Sequence, residues 1–463
     1  MISMDHLKQQ KIALFGLGQS GLSAARALLA GGAEVRAWDD AAGRRDEAAA
    51  SGVPLADPED LDWSEIRLLV LSPGVPLSHP QPHPVVARAR AAGCEVIGDI
   101  ELFVRRGLPA LVAAITGTNG KSTTTALCGF LLEACGQRVA VGGNIGTPVL
   151  DLPELDAGGT YVLEMSSYQI DLAPSLAADV AVLLNLSPDH LERHGGWPGY
   201  VAAKQRLFEQ QRPGQTAIVG IDDSESAGLF ERLNGLGDRT VVPISVQGAA
   251  AARHNGVSVE AAQLHEAGST ASADLGAARA LKGIHNWQNA AAAFAAVRAL
   301  GCPGPDAARS LLEFPGLAHR MEDLGVIGGV RFINDSKATN AEAAARALAC
   351  FEHIHWIAGG RPKAGGFAAL EPYIERLEGA YLIGEAAEEL ANWLDGRVPA
   401  RRCADLASAV DSARSVARSV ARSAASGATV LLSPACASFD QFANFEARGE
   451  AFRELVTAAE AAP

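Results

Sequence analysis

Residues Ile115 to Thr125 read I-T-G-T-N-G-K-S-T-T-T, and how this stretch is read decides the fold around it. The apolar run Leu108 to Ala114 before it is expected to be a buried strand, and Thr124 to Ala134 after it carries a helical pattern. A Gly-rich turn between strand and helix aims several backbone N–H groups, and the positive end of the helix dipole, at one point. A lysine at the end of the turn adds a mobile positive charge, and the hydroxyl that follows can ligate Mg²⁺. These residue types in this order make a triphosphate cradle. The spacing is a shortened one, Gly117-x-x-Gly120-Lys121-Ser122, with Ile115 where the longer form needs glycine.

The rest of the chain sets bounds on this reading. At 463 residues it is too long for one ordinary core and suggests two or three domains. A net charge of −14 argues against a nucleic-acid or anionic-membrane partner, since phosphate backbones need a basic face. The seven cysteines are odd in number, scattered and never in C-x-x-C spacing. They read as reduced thiols of a cytoplasmic protein, not as a disulfide or zinc framework. The polar stretch Met1 to Lys11 has no apolar core of a secretion signal, and no long apolar run suits a membrane span.

Alternation of short apolar runs and helical patterns divides the chain into three α/β blocks. Strands are expected at Lys11–Phe15, Glu34–Trp38 and Leu68–Leu71 in the first block, which ends near Gly98-Asp99. The second has strands at Ala110–Ile115, Tyr161–Leu163 and Val180–Leu184 and closes after a helical stretch, Asn286–Leu300. The breaker triplet Phe314-Pro315-Gly316 suits a linker to the third, with strands near Val330–Ile333, His355–Ile357, Ala380–Ile383 and Thr429–Leu432. Residues 246 to 280 read as loop and short strands. Ser408 to Gly427, with its near-repeat A-R-S-V-A-R-S-V-A-R-S-A, reads as a surface helix with a solvated arginine stripe.

Further turns stand at expected strand ends. Gly16-Leu17-Gly18-Gln19-Ser20-Gly21 matches G-x-G-x-x-G, and Asp39 closes the next strand where a ribose-binding carboxylate would stand. Alone this suggests a nicotinamide enzyme, but a block of about 100 residues holds one mononucleotide half only. The glycines therefore read as a cradle for the diphosphate of another ligand. Ser72-Pro73-Gly74, Gly143-Asn144-Ile145-Gly146, Glu164 and His190 also follow strands, so the C-terminal edges of parallel sheets would gather them. Glu164 and Ser122 offer hard oxygen ligands for Mg²⁺. In the third block Asn334 to Asn340, Gly359 to Lys363 and Ser433 to Phe442 are candidate loops, and Ser438 with Gln441 fits a capping box opening the final helix.

With these motifs in order, the chain resembles the Mur ligase family from Gly16 to Gly449, nearly its full length. The matching runs include G-L-G-Q-S-G, G-D-I-E-L-F, I-T-G-T-N-G-K-S-T, E-M-S-S-Y-Q, S-P-D-H-L-E-R-H, H-N-W-Q-N-A, I-N-D-S-K-A-T-N and S-P-A-C-A-S-F-D-Q-F-A-N-F-E-A-R-G. The last of these and G-D-I-E-L-F point to the D-glutamate-adding branch. The resemblance implies an α/β fold of three domains: a Rossmann-like domain (1–99) binding the UDP substrate, a central P-loop ATPase-like domain (100–316) and a Rossmann-like C-terminal domain (317–463) binding the amino acid. It implies an ATP-dependent amide ligase that joins D-glutamate to UDP-N-acetylmuramoyl-L-alanine through an acyl phosphate and a tetrahedral intermediate, with closure of the third domain hinged near Phe314–Leu317. A monomer with small-molecule substrates is expected.

Residue by residue, the resemblance places ATP at Gly117, Thr118, Asn119, Gly120, Lys121, Ser122, Thr123, Thr124, Asn286, Asn289, Arg320 and Asp335. Two Mg²⁺ sites are implied, drawing on Ser122, Glu164, His190 and a carbamylated Lys204. Lys337 and Thr339 fall beside the reacting end. Gly18, Gln19, Ser20, Asp39, Ser72 and Gly74 match the uridine-diphosphate site, with Asn144 and His319 nearer sugar and peptide. Thr339, Lys363, Ser438, Phe439 and Phe445 match the D-glutamate pocket. Lys121, Glu164, His190, Lys204 and Lys337 form the expected catalytic set. Arg361-Pro362 stands where an acidic residue and glycine are expected, a departure beside Lys363. Rival readings are a sister Mur ligase or a folylpolyglutamate-synthase-like ligase with another amino acid, a nicotinamide oxidoreductase, and a nucleotide-sensing module without catalysis.

Overall fold

Three sheets carry the described residues of the computed structural model, which are 1–248, 251–362, 366–421 and 427–458. The first is parallel throughout, β1 (Lys11–Phe15), β2 (Glu34–Trp38), β3 (Leu68–Leu71) and β4 (Glu95–Ile97), in the order β2-β1-β3-β4. The second holds β5 (Leu111–Thr116), β6 (Arg138–Gly143), β7 (Gly159–Glu164), β8 (Val180–Leu183), β9 (Thr216–Gly220), β10 (Thr240–Ser245), β11 (Val257–Glu260), β12 (Gln263–Glu266) and β13 (Ser272–Asp274). Its order is β13-β12-β11-β10-β9-β8-β5-β7-β6, parallel from β6 to β11 and antiparallel in the last two pairings. The third contains β14 (Glu322–Ile327), β15 (Val330–Asn334), β16 (Ile354–Gly359), β17 (Leu377–Ile383), β18 (Ala400–Arg402) and β19 (Ala428–Leu432). Its order is β14-β15-β19-β16-β17-β18, with only β14 antiparallel.

The chain divides into two compact units, Met1–Leu275 with Asn286–Glu313, and Gly276–His285 with Phe314–Pro463. In the first unit β3, β7 and β8 are buried at every position, as expected of apolar runs in parallel strands covered on both faces. One core joins residues of the first two sheets, with Phe103 set edge-on to Tyr161 at 4.9 Å. In the second unit the wholly buried Trp356 donates its indole N–H to the carbonyl of Ser433 at 2.8 Å, fixing the end of β19 against β16.

Several expectations are corrected. The helix after the phosphate turn starts at Lys121, and the helix expected at Asn286 spans Ile284–Ala299. The arginine repeat lies on the helix Leu406–Ala421, which buries Ala409, Val410, Ala413 and Ala417 in the core of the second unit. It is thus a packing helix with one polar face, in which Arg414 pairs with Asp411 at 2.9 Å. Residues 422–426 of the repeat lie outside the described ones. Ser438 and Gln441 form a turn, not a helix cap, since the carbonyl of Ser438 accepts from the backbone N–H of Gln441 and Phe442. The final helix, Phe445–Ala458, begins after Asn444, whose side chain accepts from the N–H of Ala447 at 2.7 Å. The sulfurs of Cys135 and Cys302 meet, with their Cα atoms 5.9 Å apart, a pairing that the scattered spacing did not suggest; the other five cysteines form no disulfide. No described helix is long and apolar enough to cross a membrane.

Candidate active site

The phosphate turn leaves the C-terminal end of β5 and enters the helix Lys121–Ala134. Gly120 has φ 86°, a left-handed conformation, and a Cβ there would stand 2.1 Å from Asn289 Oδ1. Only glycine satisfies both demands. Asn289 in turn accepts from the Thr124 hydroxyl at 3.3 Å and donates to Asn286 at 3.0 Å. Two of the expected ATP residues thus brace the cradle from behind. Another line of support runs outward from Asn119, whose N–H donates to Asn185 Oδ1 at 3.0 Å. Asn185 donates to Gln288 at 2.7 Å, and Gln288 donates to Asp222 at 3.1 Å. Asn185 and Gln288 lie inside recognisable runs, but nothing in their residue type marked them.

Inside the turn, Lys121 donates to the carbonyls of Gly117 and Thr118 at 3.0 and 2.9 Å. Lys204, on the helix Trp197–Glu209 and 1% exposed, donates to the same Gly117 carbonyl at 2.9 Å and to Thr116 Oγ1 at 3.3 Å. Burial, then the neighbouring Lys121 charge, holds the Lys204 amine well below its ordinary range. A surface lysine would show neither feature. Glu164 ends β7, the strand beside β5. Its Oε1 accepts from Asn144 at 2.7 Å, and its buried Oε2 has no hydrogen-bond partner within the protein. Ser122 is buried at the start of the phosphate helix, and Thr123 is half-buried.

His190 sits in a left-handed turn with its ring half exposed, 3.6 Å from Asp189 and 5.2 Å from the ring of Tyr168. Among the described residues no group of three His, Cys, Asp or Glu side chains converges on one point. An orphaned carboxylate oxygen at the end of the strand paired with β5 still suits Mg²⁺, which takes one or two protein carboxylates and fills its octahedron with phosphate oxygens and water. A carbamate on Lys204 would add a second carboxylate.

The Gly16–Gly21 turn opens the helix Gln19–Ala30. A Cβ on Gly21 would meet the carbonyl oxygen of Gly16 at 1.8 Å, so the turn closes on itself only with glycine there. Ser72 Oγ donates to that same carbonyl at 2.7 Å. Asp39 accepts from the N–H of Leu17 at 2.7 Å and of Ala41 at 2.8 Å, so its carboxylate shapes the turn. Gly18, Gln19, Ser20 and Gly74 are at least partly exposed around it. Arg193 donates to the carbonyls of Gly74 and Pro73 at 2.9 and 3.4 Å and lies over Tyr168, tying this loop to the turn after His190. Asp99, buried and accepting from the N–H of Ile100 at 3.0 Å, has its carboxyl pushed up to about 6 by burial, and its other oxygen has no partner.

In the second unit β15 and β19 end together. Asp335 accepts from Ser433 at 2.9 Å and from the N–H of Met321 at 3.2 Å, and burial pushes its carboxyl up to about 7. The Lys337 ammonium lies 3.8 Å from the ring centroid of Phe445, and the N–H of Thr339 donates to the carbonyl of Lys337. His319, in a left-handed turn, bonds Asn334 at 3.1 Å and leaves no room for a side chain on Gly449. The buried guanidinium of Arg448 donates to Ser336 and to the carbonyls of Gly359 and Cys436, joining three strand-end loops. Ser438 is buried and Phe439 is exposed. Arg361, the departing residue, pairs with Glu385 at 3.1 Å. Lys363 lies outside the described residues. Arg320 is at the turn before β14. Asn286 and Asn289 belong to the first unit, while Arg320, Asp335 and the amino-acid candidates belong to the second.

Three family models match in order: Mur ligase MurD-like N-terminal domain over residues 10–98, Mur ligase middle domain over 115–297, and Mur ligase glutamate ligase domain over 319–436. A protein of Caulobacter sp. (strain K31) called UDP-N-acetylmuramoylalanine–D-glutamate ligase is 52% identical over 465 residues, covering 98% of both chains. One of the same name from Paramagnetospirillum magneticum is 50% identical, covering 99% of this chain and 98% of its own. Among solved structures, UDP-N-acetylmuramate-alanine ligase from Thermotoga maritima aligns with a TM-score of 0.59 at 17% identity, over 97% of this chain and 99% of that one. MurF from Acinetobacter baumannii aligns with a TM-score of 0.56 at 20% identity, over 80% of this chain and 88% of that one. Those two likenesses concern the fold. The chain belongs to the Mur ligase family.

Proposed function

We propose that this chain is an ATP-dependent ligase that forms the amide between the carboxylate of UDP-N-acetylmuramoyl-L-alanine and the amine of D-glutamate. The observation that carries the chemistry is the pair of lysines on one carbonyl, Gly117, in the unit that also holds the unpartnered carboxylate oxygen of Glu164. A carboxylate is a poor electrophile until one of its oxygens becomes phosphate. That transfer asks for positioning and charge neutralisation more than for covalent help. The carboxylate oxygen attacks the γ-phosphorus and ADP leaves. The D-glutamate amine then attacks the acyl carbon, a proton is lost, and the tetrahedral intermediate expels inorganic phosphate.

In this reading the backbone N–H groups from Gly117 to Thr124 orient the triphosphate, and Lys121 swings from its carbonyls onto the phosphates. Ser122 and Glu164 would hold one Mg²⁺, and His190 with a carbamylated Lys204 would hold a second; such metal would supply charge neutralisation on the phosphates. The depressed Lys204 amine supports carbamylation, because only the neutral amine adds to CO₂ and the resulting anion gains Lys121 as a neighbour. Asn286, Asn289, Arg320 and Asp335 serve the nucleotide. The Gly18–Ser20 turn, Asp39, Ser72, Gly74, Asn144 and His319 serve the UDP substrate. Lys337 stands beside the reacting end, and Thr339, Lys363, Ser438, Phe439 and Phe445 serve D-glutamate. We take residues 1–99, 100–316 and 317–463 as the three working domains of a cytoplasmic monomer.

The test is phosphate release from ATP with UDP-N-acetylmuramoyl-L-alanine and Mg²⁺, with D-glutamate, L-glutamate, glycine or L-alanine. Release that needs D-glutamate, with a product one glutamyl residue heavier, is expected. Release with another amino acid moves the chain to a sister ligase, and silence with all four rejects the reading.

A further inference from the structure

His194 closes the short helix Leu191–His194 and is 7% exposed. Its Nε2 is 2.9 Å from the hydroxyl of Ser167, and its Nδ1 is 3.5 Å from the carboxylate of Asp171. Ser167 and Asp171 are the first and last residues of one helical turn, four positions apart, so both side chains leave the same face and take the imidazole between them. The ring of Tyr168 stacks on the imidazole at 5.3 Å and 12°, and Tyr200 meets it edge-on at 5.6 Å. Asp171 also pairs with Arg206, two residues beyond Lys204 on its helix.

Each of these neighbours touches or adjoins a group of the candidate site. Ser167 is three residues past Glu164 at the end of β7. The ring of Tyr168 is also 5.2 Å from that of His190. Tyr200 bonds Thr118 at 3.0 Å, and its ring lies 4.9 Å from the Lys204 ammonium. The cluster has the residue types of a nucleophilic triad. Yet Ser167 is 3% exposed and the imidazole is covered by two tyrosines, so no substrate carbonyl reaches the hydroxyl. An imidazole hydrogen-bonded at Nε2, 3.5 Å from a carboxylate at Nδ1 and flanked by two rings is held in place, and it holds what surrounds it.

We propose that His194 is a positioning residue: through Ser167, Tyr168 and Tyr200 it sets Glu164, His190 and Lys204 in register with the phosphate turn. The proposal rests on the ligase reading above. It predicts a role at one remove from the reacting atoms, of the kind that outer partners of metal ligands play.

The experiment compares the whole chain with its His194→Phe variant, which keeps the stacked ring and deletes both polar contacts. Turnover, KM for each substrate, the ¹³C carbamate resonance of Lys204 under ¹³C-bicarbonate and the thermal midpoint are read on both. The expected result is kcat lower by about tenfold or more, KM for ATP within about twofold, and a weakened carbamate resonance. A folded variant with kcat within about twofold of the parent and an unchanged resonance overturns the proposal. Should the variant fail to fold, Ser167→Ala, which removes a single hydroxyl, is read the same way. Loss of kcat at constant ATP KM supports the proposal, and unchanged kcat and resonance overturn it. A parent chain that carries the carbamate but turns over none of the amino acids rejects the ligase reading, and the resonance then judges His194 separately.

Discussion

The ammonium groups of Lys121 and Lys204 both donate to the carbonyl oxygen of Gly117, at 3.0 and 2.9 Å. One is a phosphate-loop lysine and the other comes from a helix about 80 residues later in the chain. Burial first, and then the like charge of Lys121 on the same oxygen, hold the Lys204 amine well below its ordinary range.

Lys204→Ala should lower kcat by at least about a hundredfold, the scale on which removal of a transition-state charge stabiliser is felt. Short-chain carboxylic acids should restore part of it, which a titration of acetate and propionate against phosphate release would measure. No restoration at any concentration would refute the carbamate.

The same lysine makes a stability prediction. Its folded-state value lies below the ordinary 10.5, so between the two the unfolded chain binds more protons and stability rises with pH. The penalty is full below the folded value and gone above the unfolded one. In CO₂-free buffer Lys204→Met should therefore be more stable than the parent at pH 6 to 7 (about neutral), with the gap closing as pH rises. Urea midpoints across that range check it.

Asp335 carries the opposite sign. Its folded value near 7 lies above the ordinary 3.8, so stability is fully present below about 3.8 and is lost as pH rises through about 7. The loss is on the order of 4 kcal/mol if the whole shift is expressed. Asp335→Asn should flatten that decline, as denaturation at a series of pH values would show, while weakening ATP-dependent turnover.

Glu164→Gln keeps the bond to Asn144 and removes the charge. The protein should fold with an unchanged thermal midpoint and lose roughly a hundred- to a thousandfold in kcat. A variant with parental kcat at saturating Mg²⁺ would take Glu164 out of the mechanism.

Much of the frame was readable because it rests on short-range rules. The apolar runs of β1, β3, β8 and β19 declared buried parallel strands, and the glycine turns declared where they stop. What escaped depended on partners distant in the chain. Ser438 and Gln441 had the spacing of a helix cap, but the Asn444 side chain starts that helix. The Ser408–Gly427 repeat concealed a core face because alanine and valine at helical spacing look weakly apolar in sequence yet fill the space beneath a sheet. No spacing rule joins cysteines 167 positions apart, nor does the residue type of Asn185 or Gln288 reveal the line of bonds behind the phosphate turn.

The hydrogen bonds from Lys121 to Gly117 and Thr118 mean that the cradle holds its own cation in reserve on neutral oxygens. A chloride offers one contact against those two and competes poorly. A polyphosphate offers several oxygens at once, together with the N–H groups of the turn, and can exchange for both. Selection against the cell's abundant small anions is thereby placed in the main chain, where substitution of side chains cannot easily erode it.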